Sequence, residues 1–284
     1  MKVQDITNTI IEALEKGVVP WRYPMRPHAG WTGHRYRGIN ALSTQIMATE
    51  MGYKSTTWLT DKALNKSGGW LLDDEAPSAL IVYWDRKFIK EKDEEEESKT
   101  KTYMSPKIYK VYNLDECVGY EKKEVPVTGD AVEGADKVIT NYLSREEITR
   151  TQVPGKAYYS PRGDEINCPL PDNFLTMESY YSTMFHEMGH STGATGRIGR
   201  DIANIFGDHA YSKEELIAEM TSSFLMGHCE IEDPTELEQS ASYIAGWLKA
   251  FDNKKDLVMK AAQEAQKAYD YITLGGVKKG GDHV

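Results

Sequence analysis

"YYSTMFHEMGHSTG", residues 180–193, is the stretch on which the architecture turns. Residues four apart lie on nearly one face of an α-helix, about 6 Å apart along its axis. His186 and His190 can therefore each turn one ring nitrogen toward a single ion. Glu187 directly follows the first histidine and emerges on the flank, beside the coordination position that the imidazoles leave open. There it is the candidate general base. The context suits a helix over 176–192. Thr176 can cap it, Tyr181, Met184, Phe185 and Met188 supply a buried face, and Gly193 ends it.

A catalytic zinc site takes three protein ligands and keeps a fourth position open, so the third must come from elsewhere. In "KEELIAEMTSSF" (213–224), Glu215, Ala218, Glu219 and Ser222 share a helical face of acidic and small residues, while Leu216, Met220 and Phe224 point into a core. Such a face lets this helix approach the histidine helix and present a carboxylate. Glu215 is the expected third ligand, and Glu214 is the competing choice. Glu219, one turn on, is expected to accept the ring N–H of a ligating histidine. The spacing predicts one Zn2+ per chain, with Mn2+ among the other divalent ions such a donor set accepts. His28, His34, His209, His228 and His283 have no partner at ligand spacing.

The remaining 270 or so residues set the frame. A chain of 284 residues can hold two modest domains. No run of about 18 apolar residues occurs, which argues against a membrane partner. "MKVQDITNTIIEALEKG" (1–17) is acidic and amphipathic and lacks the basic start and apolar block of a signal peptide, so the expected location is the cytoplasm. Cys117, Cys168 and Cys229 are scattered, with no CxxC spacing, and read as reduced thiols.

Apolar periodicity predicts helices over about 3–16, within 40–52 and within 57–69, the last with Thr60 as its cap. "SALIVYWDRKFIK" (78–90) and "KIYKVYNLDECVG" (107–119) read as two strands of an antiparallel hairpin, with the charge run "EKDEEEESKTKT" (91–102) as its solvated tip. Beyond "EKKEVPVTGDAVEG" (121–134), the best linker candidate, come a helix, two short strands joined by a Pro-Arg-Gly-Asp turn, the two helices of the ligand set, and an amphipathic stretch over 235–272. In that stretch Tyr243, Trp247, Phe251 and Leu257 are candidate core anchors. The expected class is α+β, with domains at 1–122 and 135–284 and a linker at 123–134.

The net charge of −10 is unevenly spread. Residues 1–90 hold 12 Lys/Arg and 9 Asp/Glu, a balance of +3, which leaves −13 for the rest. Residues 20–62 hold six basic and two acidic residues, interleaved with Trp21, Tyr23, Trp31, Tyr36, Tyr53 and Trp58. Single-stranded nucleic acid is held by a basic groove and aromatic stacking platforms. Guanidinium groups beside rings add cation–π contacts and phosphate forks. Trp21, Arg22, Tyr36, Arg37, Trp58 and Lys62 are the candidate DNA contacts. Read singly, each tryptophan is more readily a core residue.

Particular motifs carry a resemblance. HEMGH (186–190), followed 25 residues after His190 by a ligand-bearing helix, looks like the gluzincin metallopeptidases. "AYYSPRGDEINCPLPDNF", "RIGRD", "FGDHAYSKEELIAE" and "ASYIAGWLKAF" are similar to the zincin-like domain of ArdC-type antirestriction proteins, over nearly all of 150–272. "PWRYP", "YRGIN", "STTWLT", "GGW" and "VYNLDECVG" resemble the N-terminal single-strand DNA-binding domain of the same family and add Asn40 to the candidate contacts. Where family members usually carry basic residues after the Gly-Gly pair, this chain has "LLDDEAP".

The resemblance implies a zinc metallopeptidase-like domain beside a single-stranded DNA-binding domain, acting in a bacterial host to protect incoming mobile-element DNA. A protein substrate or restriction component would be the second partner. In that family an edge strand borders the active cleft, and "DEINCP" (164–169) is expected to be it. Two other readings stand beside this one. The chain is a cytoplasmic zinc endopeptidase whose front half recognises protein, or a DNA-binding protein whose zinc is purely structural.

Overall fold

The computed structural model describes residues 2–22, 35–92, 98–120, 131–200, 213–231, 241–252 and 256–275. The first half contains helix α1 (Val3–Glu15), a single 3-10 turn at Pro20–Arg22, α2 (Ile39–Met51), strand β1 (Trp58–Leu59), α3 (Asp61–Lys66), β2 (Trp70–Leu71), β3 (Ala79–Lys92), β4 (Ser98–Asn113) and β5 (Cys117–Val118). The second half contains α4 (Ala131–Glu146), β6 (Thr149–Thr151), β7 (Tyr158–Ser160), β8 (Glu165–Asn167), α5 (Met177–Ser191), α6 (Lys213–His228), α7 (Ala241–Asp252) and α8 (Leu257–Leu274). The α+β class follows directly. Among the described residues no helix is long and apolar enough to cross a membrane.

The caps are those the sequence predicts. Thr60 accepts a hydrogen bond from the amide of Ala63, and Thr176 one from the amide of Ser179, which fixes where α3 and α5 begin. β3 and β4 form a long antiparallel ribbon whose register runs from Ala79 opposite Val111 to Lys92 opposite Ser98. β1 joins it at the base, on the β4 side. Of the tip expected at 91–102, residues 91–92 and 98–102 instead continue the two strands, and 93–97 lie outside the described residues.

The sheet of the second half has the order β6-β8-β7, parallel between β6 and β8 and antiparallel between β7 and β8. "DEINCP" therefore supplies the middle strand. The strand at the edge beside α5 is β7, whose Tyr159 is buried against the HExxH helix. Alternation alone ranks β7 and β8 equally. What decides is β6, a three-residue strand that sequence patterning missed and that takes the far side of β8.

The halves share a core. Ile6, Ile10 and Leu14 of α1, Trp21, and Ile39, Leu42 and Ile46 of α2 pack with Leu216, Met220 and Phe224 of α6, Trp247 and Phe251 of α7, and the alanines of α8. Trp21 meets Trp247 edge-on at 5.5 Å between centroids, and Trp247 stacks on Phe251. The expected division at 123–134 therefore does not separate two cores, and α4 already begins at Ala131 within it. Residues 121–130 lie outside the described residues. A second core joins α4, α5, the β6-β8-β7 sheet and the far ends of α6 and α8. α6 serves both cores, with buried residues around most of its circumference.

Candidate metal centre

α5 and α6 cross closely because the contact is made of small residues. A Cβ on Gly189 would stand 3.1 Å from Cα of Ala218 and 3.3 Å from Cβ of Thr221, tighter than ordinary packing allows. Beside that crossing, Ser222 donates from its hydroxyl to the carbonyl of Ser182 at 2.8 Å. The near approach brings the α6 carboxylates level with the imidazoles of α5.

His186, His190 and Glu215 come together there, with one donor atom from each lying within 4.8 Å of the others. Nε2 of His186 and Nε2 of His190 are 3.1 Å apart, and the two Glu215 oxygens lie 3.4 Å from His186 Nε2 and 3.5 Å from His190 Nε2. Ligands at about 2.0–2.1 Å from a tetrahedral ion sit roughly 3.3 Å from one another. The three donors thus outline one face of such a tetrahedron, and they fit a divalent ion. Burial works against the ionised form of Glu215, yet the two imidazoles beside it hold the carboxyl far below its ordinary range.

Behind His190, Nδ1 faces Oε1 of Glu214 at 3.4 Å. Glu214 is buried and is held in turn by Arg200, whose Nη2 and Nε donate to its two oxygens at 2.7 and 3.0 Å. Arg200 also donates to the Thr192 hydroxyl and the Gly189 carbonyl, so it spans the end of α5 and the start of α6. The carboxylate backing His190 is therefore Glu214, the residue that spacing offers as the competing ligand. Glu219 stands one turn along α6, half-buried. Arg200, in "RIGRD", is the residue that ligand spacing could not find. Its signal was a pair of arginines three apart in a loop otherwise poor in structure.

Arg197, the other member of that pair, has a buried side chain. It forks onto Asp164 at 2.8 and 2.6 Å, and bonds Glu146 and the Ser191 carbonyl. It ties the turn between β7 and β8 and the end of α4 to the C-terminus of α5.

Glu187 is buried, and its pKa is pushed up by desolvation, against the pull of His186 and His190. It also takes a backbone hydrogen bond from Tyr159 of β7. A carboxylate so placed holds a proton more readily than one in water.

The candidate DNA contacts fare differently. Trp21 is 2% exposed and Trp58 0%, so both are core residues. Tyr36 is half-buried against the Trp58 cluster. Asn40 uses its side chain on the edge of β3, donating to the Val82 carbonyl and accepting the Val82 amide at 2.9 and 2.8 Å. Arg37 is exposed, but its guanidinium pairs with Asp270 of α8, and the next amide, Gly38, donates to Gln266. Gly38 has φ of +52°, which only glycine adopts readily, and a Cβ there would meet the Ala262 carbonyl at 3.5 Å. Lys62 is exposed on α3. Arg22 closes the 3-10 turn. Tyr23 and Trp31 lie outside the described residues.

Residues 135–264 match a family of zincin-like metallopeptidases, and residues 2–113 match the N-terminal domain of anti-restriction factor ArdC. The antirestriction ArdC protein of plasmid R388 in metal-free form is 31% identical, with 95% of each chain covered at a TM-score of 0.73. Its Mn(II)-bound form is similar at a TM-score of 0.71, with 30% identity and coverage of 96% of this chain and 98% of that one. DNA primase TraC of Escherichia coli is 31% identical over 95% of this chain, and the chain spans 27% of that relative's length.

Proposed function

This chain belongs to the ArdC family of antirestriction proteins, and from that membership we propose that it protects incoming mobile-element DNA in a bacterial cytoplasm. In this reading it holds single-stranded DNA and carries a zinc hydrolase centre of gluzincin type, whose substrate is a protein. The observation that supports the hydrolytic part is the meeting of His186, His190 and Glu215 beside a buried Glu187. Two imidazoles and one carboxylate form a donor set that zinc takes in catalytic sites. A relative bound to Mn(II) supports a divalent ion.

A divalent ion in this site supplies Lewis acidity, polarising a carbonyl and making a water acidic. The chain's own residues do the rest. Glu187 accepts the proton released at Oε and, with its affinity for protons raised by burial, returns it to the leaving amine. Glu214, steadied by Arg200, keeps the His190 ring turned so that Nε2 faces the other donors. The Tyr159 amide holds the Glu187 carboxylate beside them.

The test joins metal analysis with a salt titration on the full chain. Glu187→Gln should retain its metal and lose hydrolysis of a responsive protein substrate; cleavage at the wild-type rate removes the role of Glu187. Wild-type chain should bind a single-stranded oligonucleotide with an affinity that falls steeply with salt, as phosphate contacts demand. Absence of binding at low salt removes the DNA part.

A further inference from the structure

Trp21 and Trp58 lie in the core, so neither offers a stacking surface. Side chains of the β3–β4 ribbon alternate between two faces. One face sends Val82 and Trp84 into the core shared with α6 and α7. On the other, Ala79 and Val111 close a small core around Trp58, and beyond them the ribbon faces solvent. There Tyr83 stands opposite Lys107, and Lys87 opposite Tyr103, with Tyr109 one pair nearer the base.

The three rings are well exposed: Tyr83 53%, Tyr103 44% and Tyr109 43%. Tyr103 and Tyr109 are six residues apart on one strand, about 20 Å. Tyr83 sits diagonally from Tyr109, at a distance of about 7–8 Å. The strands that carry them are mostly basic, although Asp85 shares the face of the rings. The two strands together hold eight Lys/Arg and two acidic residues. One of the two, Asp85, is paired with Lys107 at 2.7 Å on the surface, a contact weak enough to be exchanged for a phosphate. A protein partner would favour a patch whose centre is depleted of charge. Here lysines stand directly across from two of the three rings, which suits a ligand that alternates flat bases with anionic groups.

We propose that this face of the ribbon is the platform for single-stranded nucleic acid, with Tyr83, Tyr103 and Tyr109 stacked on bases and Lys87 and Lys107 on phosphates. The proposal rests on the reading of the chain as a single-strand binder and adds the surface that does it. Because all five side chains project into solvent, their replacement leaves the cores intact.

The experiment is an anisotropy titration of the full chain against a labelled oligothymidylate, with thermal melting as a check on folding. Tyr83→Ala and Tyr103→Ala should each weaken binding about fivefold or more, as loss of one stacked base does, while the Tyr→Phe variants hold near wild type. Lys87→Ala should lower the slope of log affinity against log salt by about one. Wild-type binding with unchanged affinity in the Tyr83→Ala/Tyr103→Ala/Tyr109→Ala variant overturns the location alone. A wild-type chain that binds no single strand overturns the underlying reading as well. If the triple variant instead changes the oligomeric state in light scattering while binding is kept, the face joins copies of this chain and the proposal fails.

Discussion

Arg200 and Glu214 form a two-pronged ion pair, at 2.7 and 3.0 Å, behind the ring of His190. The pair bridges two helices at the point where they converge on the donor cluster. Its effect on the ion is indirect, through the aim of one imidazole. Arg200→Leu and Glu214→Gln should each lower metal affinity about 10–100-fold without unfolding the chain. Competition with a chromophoric chelator measures this. Glu215→Ala, which removes a donor, should cost more than either.

Gly189→Val should act at the same convergence by a different route. The added side chain must push α6 away at Ala218 and Thr221. Overpacking of this kind costs about 1–3 kcal/mol, and the displaced Glu215 should bind metal more weakly. Gly189→Ala should show the same two effects, each smaller. A lowered melting temperature with unchanged metal affinity would mean that the crossing does not set the donor geometry.

Metal uptake should depend on pH with a definite sign. In the ion-free chain burial disfavours the charged His190 ring, but Glu214 and Glu215 outweigh it and raise its pKa to about 9. Below that value an incoming ion must displace a proton, and above it no proton need leave. Apparent affinity should therefore rise by about tenfold per pH unit between roughly pH 7 and 9, then flatten. Calorimetry in buffers of different ionisation enthalpy counts the released proton.

Trp58→Ala should destabilise the fold by about 3–5 kcal/mol, the usual cost of emptying a buried aromatic site. The ring sits edge-on to Tyr53 at 6.0 Å among Ala48, Ala79 and Val111. Chemical denaturation reads the cost. A folded, wild-type-stable variant that had lost only oligonucleotide affinity would return Trp58 to the binding surface.

Features set by local spacing were open to sequence reading. The i, i+4 histidines, the Thr60 and Thr176 caps and the ribbon all follow from period and cap chemistry within a few residues. The small face of α6 also announced itself, since Ala218 and Ser222 only make sense where another helix comes near. What was hidden depends on rotation about a helix axis and on distant partners. That Glu214 backs His190 depends on Arg200, which reaches in from a loop. Trp21 and Trp58 sit among basic residues in sequence, but α7 and the ribbon base cover them in space. The middle position of β8 depends on β6, too short to show an alternation.

The core that α1 and α2 close against α6 and α7 has a consequence for inheritance. The stretch matched by the ArdC N-terminal family ends at residue 113 and the zincin-like match begins at 135. A crossover in that interval looks harmless on a linear map. In the folded chain it would set a front half from one lineage against the Phe224, Trp247 and Phe251 of another. Close-packed interiors reject mismatched shapes, so most such chimaeras should fail before their activity is ever tried. The block is expected to be inherited whole, and its match to the TraC relative, 27% of that much longer chain, spans both halves together.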